Sequence, residues 1–251
     1  MEKVLVFTHR LELALRLVDT TSGRNISGQD VEVYADEKQI RFQEKNDLML
    51  VFQGFEKRNF CLKVKSRIYE TVEKQVDLDQ LNPRMPLLEL HLVPSKSYPG
   101  GTEFLSVEGV LPGIRELSAV RVGDNACLIR EFDPRRKMVK LFNPHRLSLE
   151  RVRYALVDPD SNRYEPFQIV KQVDDQTIKI DRGLEMSFRN YFPITPQIIG
   201  LTKPDGTYCL RMRDDGEEAK WLVRWVTEEE AQFRVIDFRT ALYPKLEGGD
   251  V

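Results

Sequence analysis

Histidine and cysteine are both scarce, with three of each in 251 residues. His9, His91 and His145 lie in unrelated contexts, and no His-x-x-x-His or Cys-x-x-Cys pair occurs, so the spacings that mark zinc sites are missing. Cys61, Cys127 and Cys209 are odd in number and far apart in apolar, strand-like surroundings. They read as small buried hydrophobes of a reducing compartment rather than a disulfide framework. No apolar run approaches the ~20 residues that a spanning helix needs. The first residues, broken by Glu2, Lys3, His9, Arg10 and Glu12, do not read as a secretory leader. The expectation is a soluble, unsecreted chain that works in the cytoplasm or in a particle assembled there. Nucleophile elbow, P-loop and Gly-x-Gly-x-x-Gly motifs are lacking too, so neither a catalytic residue nor a cofactor or metal is expected. Lys and Arg number 38 against 40 Asp and Glu. So even a balance gives no whole-molecule field to draw nucleic acid or membrane, and any electrostatic partner must be read locally.

What the chain does have is short alternating segments separated by polar turns. Leu11, Leu13, Leu15 and Leu17 fall on one face of a first strand, with Glu12, Ala14, Arg16 and Val18 on the other. Leu88, Leu90 and Leu92 share a face of a strand near residue 90, where His91 takes the polar side. Further strands are expected at 119–122, 126–132, 138–142, 152–157, 168–173, 177–180, 208–212, 221–225 and 233–238. Between most of them stand turn signals such as Gly123-Asp124-Asn125, Asp133-Pro134 and Pro204-Asp205-Gly206. Almost no 3.6-residue pattern occurs apart from one late helical turn over Glu228 to Ala231, so the fold class expected is all-β. The phrase Pro94-Ser95-Lys96-Ser97-Tyr98-Pro99-Gly100-Gly101 is the best linker. It divides the chain into domains 1–95 and 96–251, the second a β-rich sandwich or barrel.

The first domain carries a family resemblance. Its first strand ends in an acidic turn from Val18-Asp19 to Gly23, and its second strand, Val31 to Tyr34, begins after Gly28. A strand ending Leu50-Val51-Phe52 leads to Gly54-Phe55, and Phe60 to Lys65 precedes Ile68-Tyr69. Residues 13–93 resemble the transthyretin-like, carboxypeptidase-regulatory-like β-sandwich module, although a Gly before Tyr69 is missing. The resemblance implies attachment and support rather than chemistry, since nothing matches the metal set of the carboxypeptidases that such modules accompany.

Two surfaces stand out. Arg130, Arg135, Arg136, Lys137, Lys140, Arg146, Arg151 and Arg153 gather in one hairpin-like stretch, with Phe132, Phe142 and Tyr154 interleaved. A solvated hairpin tip and a docking site for an acidic protein both fit. A single-strand nucleic-acid surface uses the same composition, but apolar residues on both faces of Met138 to Phe142 place part of the aromatic set in a core. The residues assigned to partner binding are Arg130, Arg135, Arg136, Lys137, Lys140 and Arg146. Trp221, Trp225 and the segment Tyr191 to Ile194 form the second surface, read as core with an aromatic sugar platform as the alternative. Acid pairs such as Asp158 with Asp160 and Asp174 with Asp175 sit in turns, where Asp accepts backbone hydrogen bonds. The function expected is a non-catalytic structural or adaptor protein in a larger assembly. At fold level this is similar to accessory proteins of bacterial phage-tail-like particles. A carbohydrate-binding accessory module and a hydrolase assembled only in three dimensions are the alternatives.

Overall fold

The structure, a computed structural model, describes residues 11–99, 104–123, 127–143, 149, 153–185, 191–213, 220–228, 230–238 and 246. The described residues are all-β, with nothing helical beyond three-residue 3₁₀ turns. The chain divides into two compact units, one of residues 1–19 and 25–99, the other of 20–24 and 100–251.

The first unit holds two four-stranded sheets built from β1 (Leu13–Asp19), β2 (Glu32–Ala35), β3 (Lys38–Gln39), β4 (Gln43–Lys45), β5 (Met49–Phe52), β6 (Asn59–Lys65), β7 (Val72–Asp77) and β8 (Leu87–Leu92). Their orders are β4-β5-β1-β8 and β3-β2-β6-β7. β1 pairs in parallel with β8 and antiparallel with β5. Leu13, Leu15 and Leu17 are buried as the alternation predicts, and so are Leu88, Leu90 and Leu92, but Leu11 lies before β1 and is exposed. The other face of β1 is covered too, because Ala14 and Val18 are buried as well. A strand covered on both faces is the usual fate of a parallel-paired interior strand. Gly28 is needed for space. A Cβ there would stand 2.5 Å from Cε2 of Phe42 and 2.9 Å from Cδ2 of Leu50.

The stretch read as a linker is in its first half part of this unit. Tyr69 bridges Pro94, the Ser95 amide donates to Ile68 O at 2.8 Å, and the Tyr98 hydroxyl donates to Oδ2 of Asp19 at 2.6 Å. Tyr69 donates to the same buried oxygen at 2.9 Å. Burial, and then the charge of Asp19, hold the Tyr69 phenol far above its ordinary range, so it remains a donor. The expected boundary at 95/96 therefore falls inside the first unit, which runs to Pro99. Gly100 and Gly101 lie outside the described residues.

The second unit contains β9 (Phe104–Val110), β10 (Glu116–Arg121), β11 (Cys127–Asp133), β12 (Met138–Phe142), β13 (Arg153–Asp158), β14 (Arg163–Asp174), β15 (Thr177–Ile180), β16 (Pro193–Ile199), β17 (Leu201–Thr202), β18 (Thr207–Arg213), β19 (Lys220–Val226) and β20 (Ala231–Asp237). The pairings run β11-β12-β15-β14-β13-β16, and β16 returns to β11. Six antiparallel strands thus close into a barrel. Its interior is packed with Ile129, Val139, Leu141, Tyr154, Leu156, Phe167, Ile178, Ile180 and Ile194, all buried in one cluster. A small closed barrel has no room for anything but such side chains, and closure removes its edges.

β16 is shared. Tyr154 pairs with Pro196 on the barrel side, while Gln197, Ile198 and Ile199 pair with Val120, Ala119 and Ser118 of β10. From there the sheet continues through β19 to β20, and β17 beyond Gly200 opens a three-stranded sheet with β18 and β9. A second core, including Leu117, Ile198, Tyr208, Leu210, Trp221, Val223 and Trp225, fills this part. Gly200 lets the chain turn between the sheets, since a Cβ would meet Leu117 at 2.8 Å and Cys209 O at 2.9 Å. β9 and β16 were not expected as strands. Pro193 and Pro196 stand at the start of β16 and at its change of partner, two places where a strand tolerates proline. The late helical turn is also corrected: Ala231 opens β20, while Glu229 lies outside the described residues.

Candidate contact surface

The β11–β12 hairpin is built by Asp133. Its Oδ1 accepts the amides of Arg135 and Arg136 at 3.0 and 3.2 Å, which folds the chain into a tight turn after the Asp-Pro pair. Lys137 closes the turn at φ 53°, a left-handed position that Gly or Asn adopts at lower cost. Its ammonium group donates to Asp181 O at 2.6 Å. In β11 and β12 the inward positions Ile129, Val139 and Leu141 belong to the barrel core, so Arg130, Glu131, Lys140 and Phe142 are left on the outer wall.

The six residues assigned to partner binding now separate. Lys140 is bound to Glu131 at 2.7 Å, and this bond, with the ammonium charge beside it, holds the Glu131 carboxyl below its ordinary value. Arg136 lies 3.9 Å from Asp133, and Lys137 is engaged with Asp181. Arg130 and Arg135 make no side-chain hydrogen bond or ion pair among the described residues. Arg146 lies outside the described residues, as do Arg151, His9 and His145. Lys179, which the sequence did not single out, joins the wall because Met138 pairs with it across β12 and β15. Two shallow depressions flank the Lys140–Glu131 pair, of about 720 and 910 Å³. Arg135, Arg136 and Lys179 line the first, and Arg130, Asp174 and Asp175 the second.

The aromatic set divides as alternation requires. Tyr154 is buried in the barrel and Phe132 packs against the same core, but Phe142 is 47% exposed. Its neighbour comes from the other candidate surface. Tyr191 is 57% exposed and meets Phe142 edge to face, with centroids 6.2 Å apart and planes at 85°. Tyr191 is held at φ 73° by its amide, which donates to Ile129 O at 2.7 Å. Perpendicular rings present no common flat face for a sugar. Trp221 and Trp225 are buried on one face of β19 with Val223, as their spacing predicts, and supply no platform either. The only sequence signal for the Phe142–Tyr191 pair was the apolar character of each residue, because 49 positions separate them and barrel closure alone brings them together.

Elsewhere the polar residues carry turns. Asp158 accepts the amides of Asp160 and Ser161, and Asp174 that of Gln176. Asp214 to Glu218 lie outside the described residues. No group of three metal-ligating side chains occurs among the described residues. The three cysteines are unbridged, and burial pushes the Cys127 thiol up to about 12. His91 sits on the expected face of β8, with Nε2 2.9 Å from Oε1 of Glu89. No helix among the described residues is long and apolar enough to cross a membrane. No family model matches the chain, and neither does any curated protein.

Proposed function

We propose that the chain is a non-catalytic adaptor that holds an acidic segment of another protein against the outer wall of its six-stranded barrel, within a larger assembly. The observation that carries this reading is the exposed Phe142–Tyr191 pair on a wall that also bears Arg130, Arg135 and Lys179, which make no side-chain hydrogen bond or ion pair among the described residues. Aromatic anchors with arginine beside them are the usual source of binding energy at protein interfaces, and unpaired cations speed the approach of an acidic partner. Nucleic acid fits this wall less well. Glu131, Asp133, Asp174 and Asp175 line the same depressions, where a phosphate backbone would meet carboxylates. The first unit, in this reading, is the transthyretin-like support module. Its two four-stranded sheets and the buried Asp19 that fastens Tyr69 and Tyr98 favour a rigid mount.

The test is capture from the native host by immobilised wild-type protein and by a variant carrying Arg130→Glu, Arg135→Glu and Lys179→Glu. Exposed charges of this kind contribute little to stability, so the variant should fold. The expected result is one acidic protein held by the wild type, with an association rate that falls as salt rises and is at least ~10-fold slower for the variant. Equal rates for the two proteins would return these residues to a solvated hairpin. Tight binding of single-stranded oligonucleotides by the wild type alone, with a steep salt dependence, would replace the protein partner by nucleic acid.

A further inference from the structure

The first unit contains a cavity of about 440 Å³ that the contact surface does not use. Its floor is Ile40, Phe52, Phe55 and Phe60. Phe52 and Phe60 are buried, while Phe55 is only half-buried. Phe55 stacks on Phe60 at 4.6 Å with planes 14° apart and lies 6.1 Å from Phe52, so the floor is largely aromatic. Cavities of this size with apolar floors and a few polar groups at the rim are the usual form of a small-molecule site.

The mouth is braced. Lys38 and Glu56 meet at 2.6 Å, and Lys57 and Asp36 at 2.9 Å, two ion pairs of opposite polarity that tie the β2–β3 turn to the β5–β6 loop. The turn is strained: Asp36 and Glu37, its two central residues, have φ 46° and 68°, the arrangement that Asn-Gly adopts at lowest cost. Asp36 holds the turn in place by accepting the Cys61 amide at 2.9 Å and donating its own amide to Cys61 O at 3.0 Å. Strain of this sort persists only where the surroundings over-determine it, and it concentrates at binding sites.

One rim group is left over. The rim carries three cations, Lys38, Lys57 and Arg41, against the carboxylates of Asp36 and Glu56. The two lysines are paired with those acids. Arg41 makes no side-chain hydrogen bond or ion pair among the described residues. A planar guanidinium without a partner, beside an aromatic floor, matches a carboxylate attached to a ring. We infer that this cavity binds a small arene carboxylate, with the ring on Phe55 and the carboxylate on Arg41. The ring contact supplies apolar burial and the guanidinium selects the anion, so the two contributions separate experimentally.

The probes are 3-(2-naphthyl)propionate, its primary amide and 3-cyclohexylpropionate, titrated into the isotopically labelled full chain and read by backbone amide shifts and calorimetry. Saturable shifts confined to residues 36–41 and 52–60 are expected for the naphthyl acid, with the amide and the cyclohexyl acid each binding at least ~10-fold more weakly. Arg41→Gln should bring acid and amide to the same weak affinity. Phe55→Leu, which keeps an apolar side chain and the fold, should weaken both naphthyl ligands. Absence of saturable shifts at millimolar acid, or equal binding of acid and amide to the wild type, overturns the inference. So does a Phe55→Leu protein that binds as the wild type does while its other amide shifts stay unchanged.

Discussion

The two units handle aromatic residues in opposite ways. In the barrel, Tyr154 and Phe167 lie inside a closed wall and are buried among aliphatic neighbours. In the first unit, Phe55 stacks on a buried neighbour and still borders open space. The difference follows from closure. A barrel has no sheet edges and a small one fills its own interior, so anything it binds must meet the outer wall. Separate sheets end in loops, and in the first unit a cavity remains beside two loops that ion pairs tie together. Charge does not divide in this way: ion pairs occur at the cavity mouth and on the barrel wall alike, and among the described residues Arg41 at the rim and Arg130 and Arg135 on the wall make no side-chain hydrogen bond or ion pair.

The largest expected break in this comparison comes from exchanging inside for outside on the barrel. Phe167→Ala should cost about 3–5 kcal/mol, because it removes a fully buried ring and leaves a void. Phe142→Ala should change stability by less than about 0.5 kcal/mol, as surface substitutions do. Chemical denaturation of the two variants reads the contrast, and equal losses would mean that Phe142 belongs to the core.

Next in size is Tyr98→Phe. Losing a hydrogen bond to the buried Asp19 carboxylate should destabilise the first unit by about 1.5–3 kcal/mol. Hydrogen exchange followed separately in β1 and in the barrel strands should show the loss in β1 alone. A variant without effect would restore residues 94–98 to a passive linker.

The braced turn offers a change of opposite sign. Glu37→Gly at φ 68° should stabilise the first unit by about 1 kcal/mol, since glycine takes that conformation without strain. A neutral or lowered melting temperature would show that the turn is not strained.

The smallest effects are titrations. Asp36 is held below its ordinary value chiefly by the Cys61 amide and then by Lys57, so its folded pKa is lower than its unfolded one. Its contribution is complete above the unfolded carboxylate value, about 4, and is lost as pH falls through the lower folded value. Asp36→Asn should therefore lower stability in the neutral region slightly and flatten the acid limb of the profile, so that variant and wild type converge at low pH. Cys127 runs the other way. Its folded value near 12 lies above the unfolded one, so the thiol stays protonated and should resist a disulfide reagent at pH 8 until the barrel unfolds. The half-buried Cys61 and Cys209 should react first.

Much of this was legible in the chain. Period-2 patterns located β12 and β15 to the residue, and the spacing of Trp221, Val223 and Trp225 placed all three in the core. The basic hairpin was visible as composition. Which of its cations are spent inside the molecule was not, because Lys137 finds Asp181, 44 residues away. β16 was hidden behind Pro193 and Pro196, since the same residue that interrupts a free strand is accepted where a strand begins or changes partner.

Local chemistry, alternation and turn residues by themselves determined that this protein is all-β, that no metal or nucleophile motif is written in it, and where most strands lie. Those properties depend on neighbours within a few positions. Closure of six strands into a barrel, the meeting of Phe142 with Tyr191, the fastening of Tyr98 to Asp19 and the cavity over Phe55 were decided only by the tertiary structure. Each joins residues whose separation in sequence carries no periodic signal, and each is set by which strands pair and which faces that pairing leaves exposed.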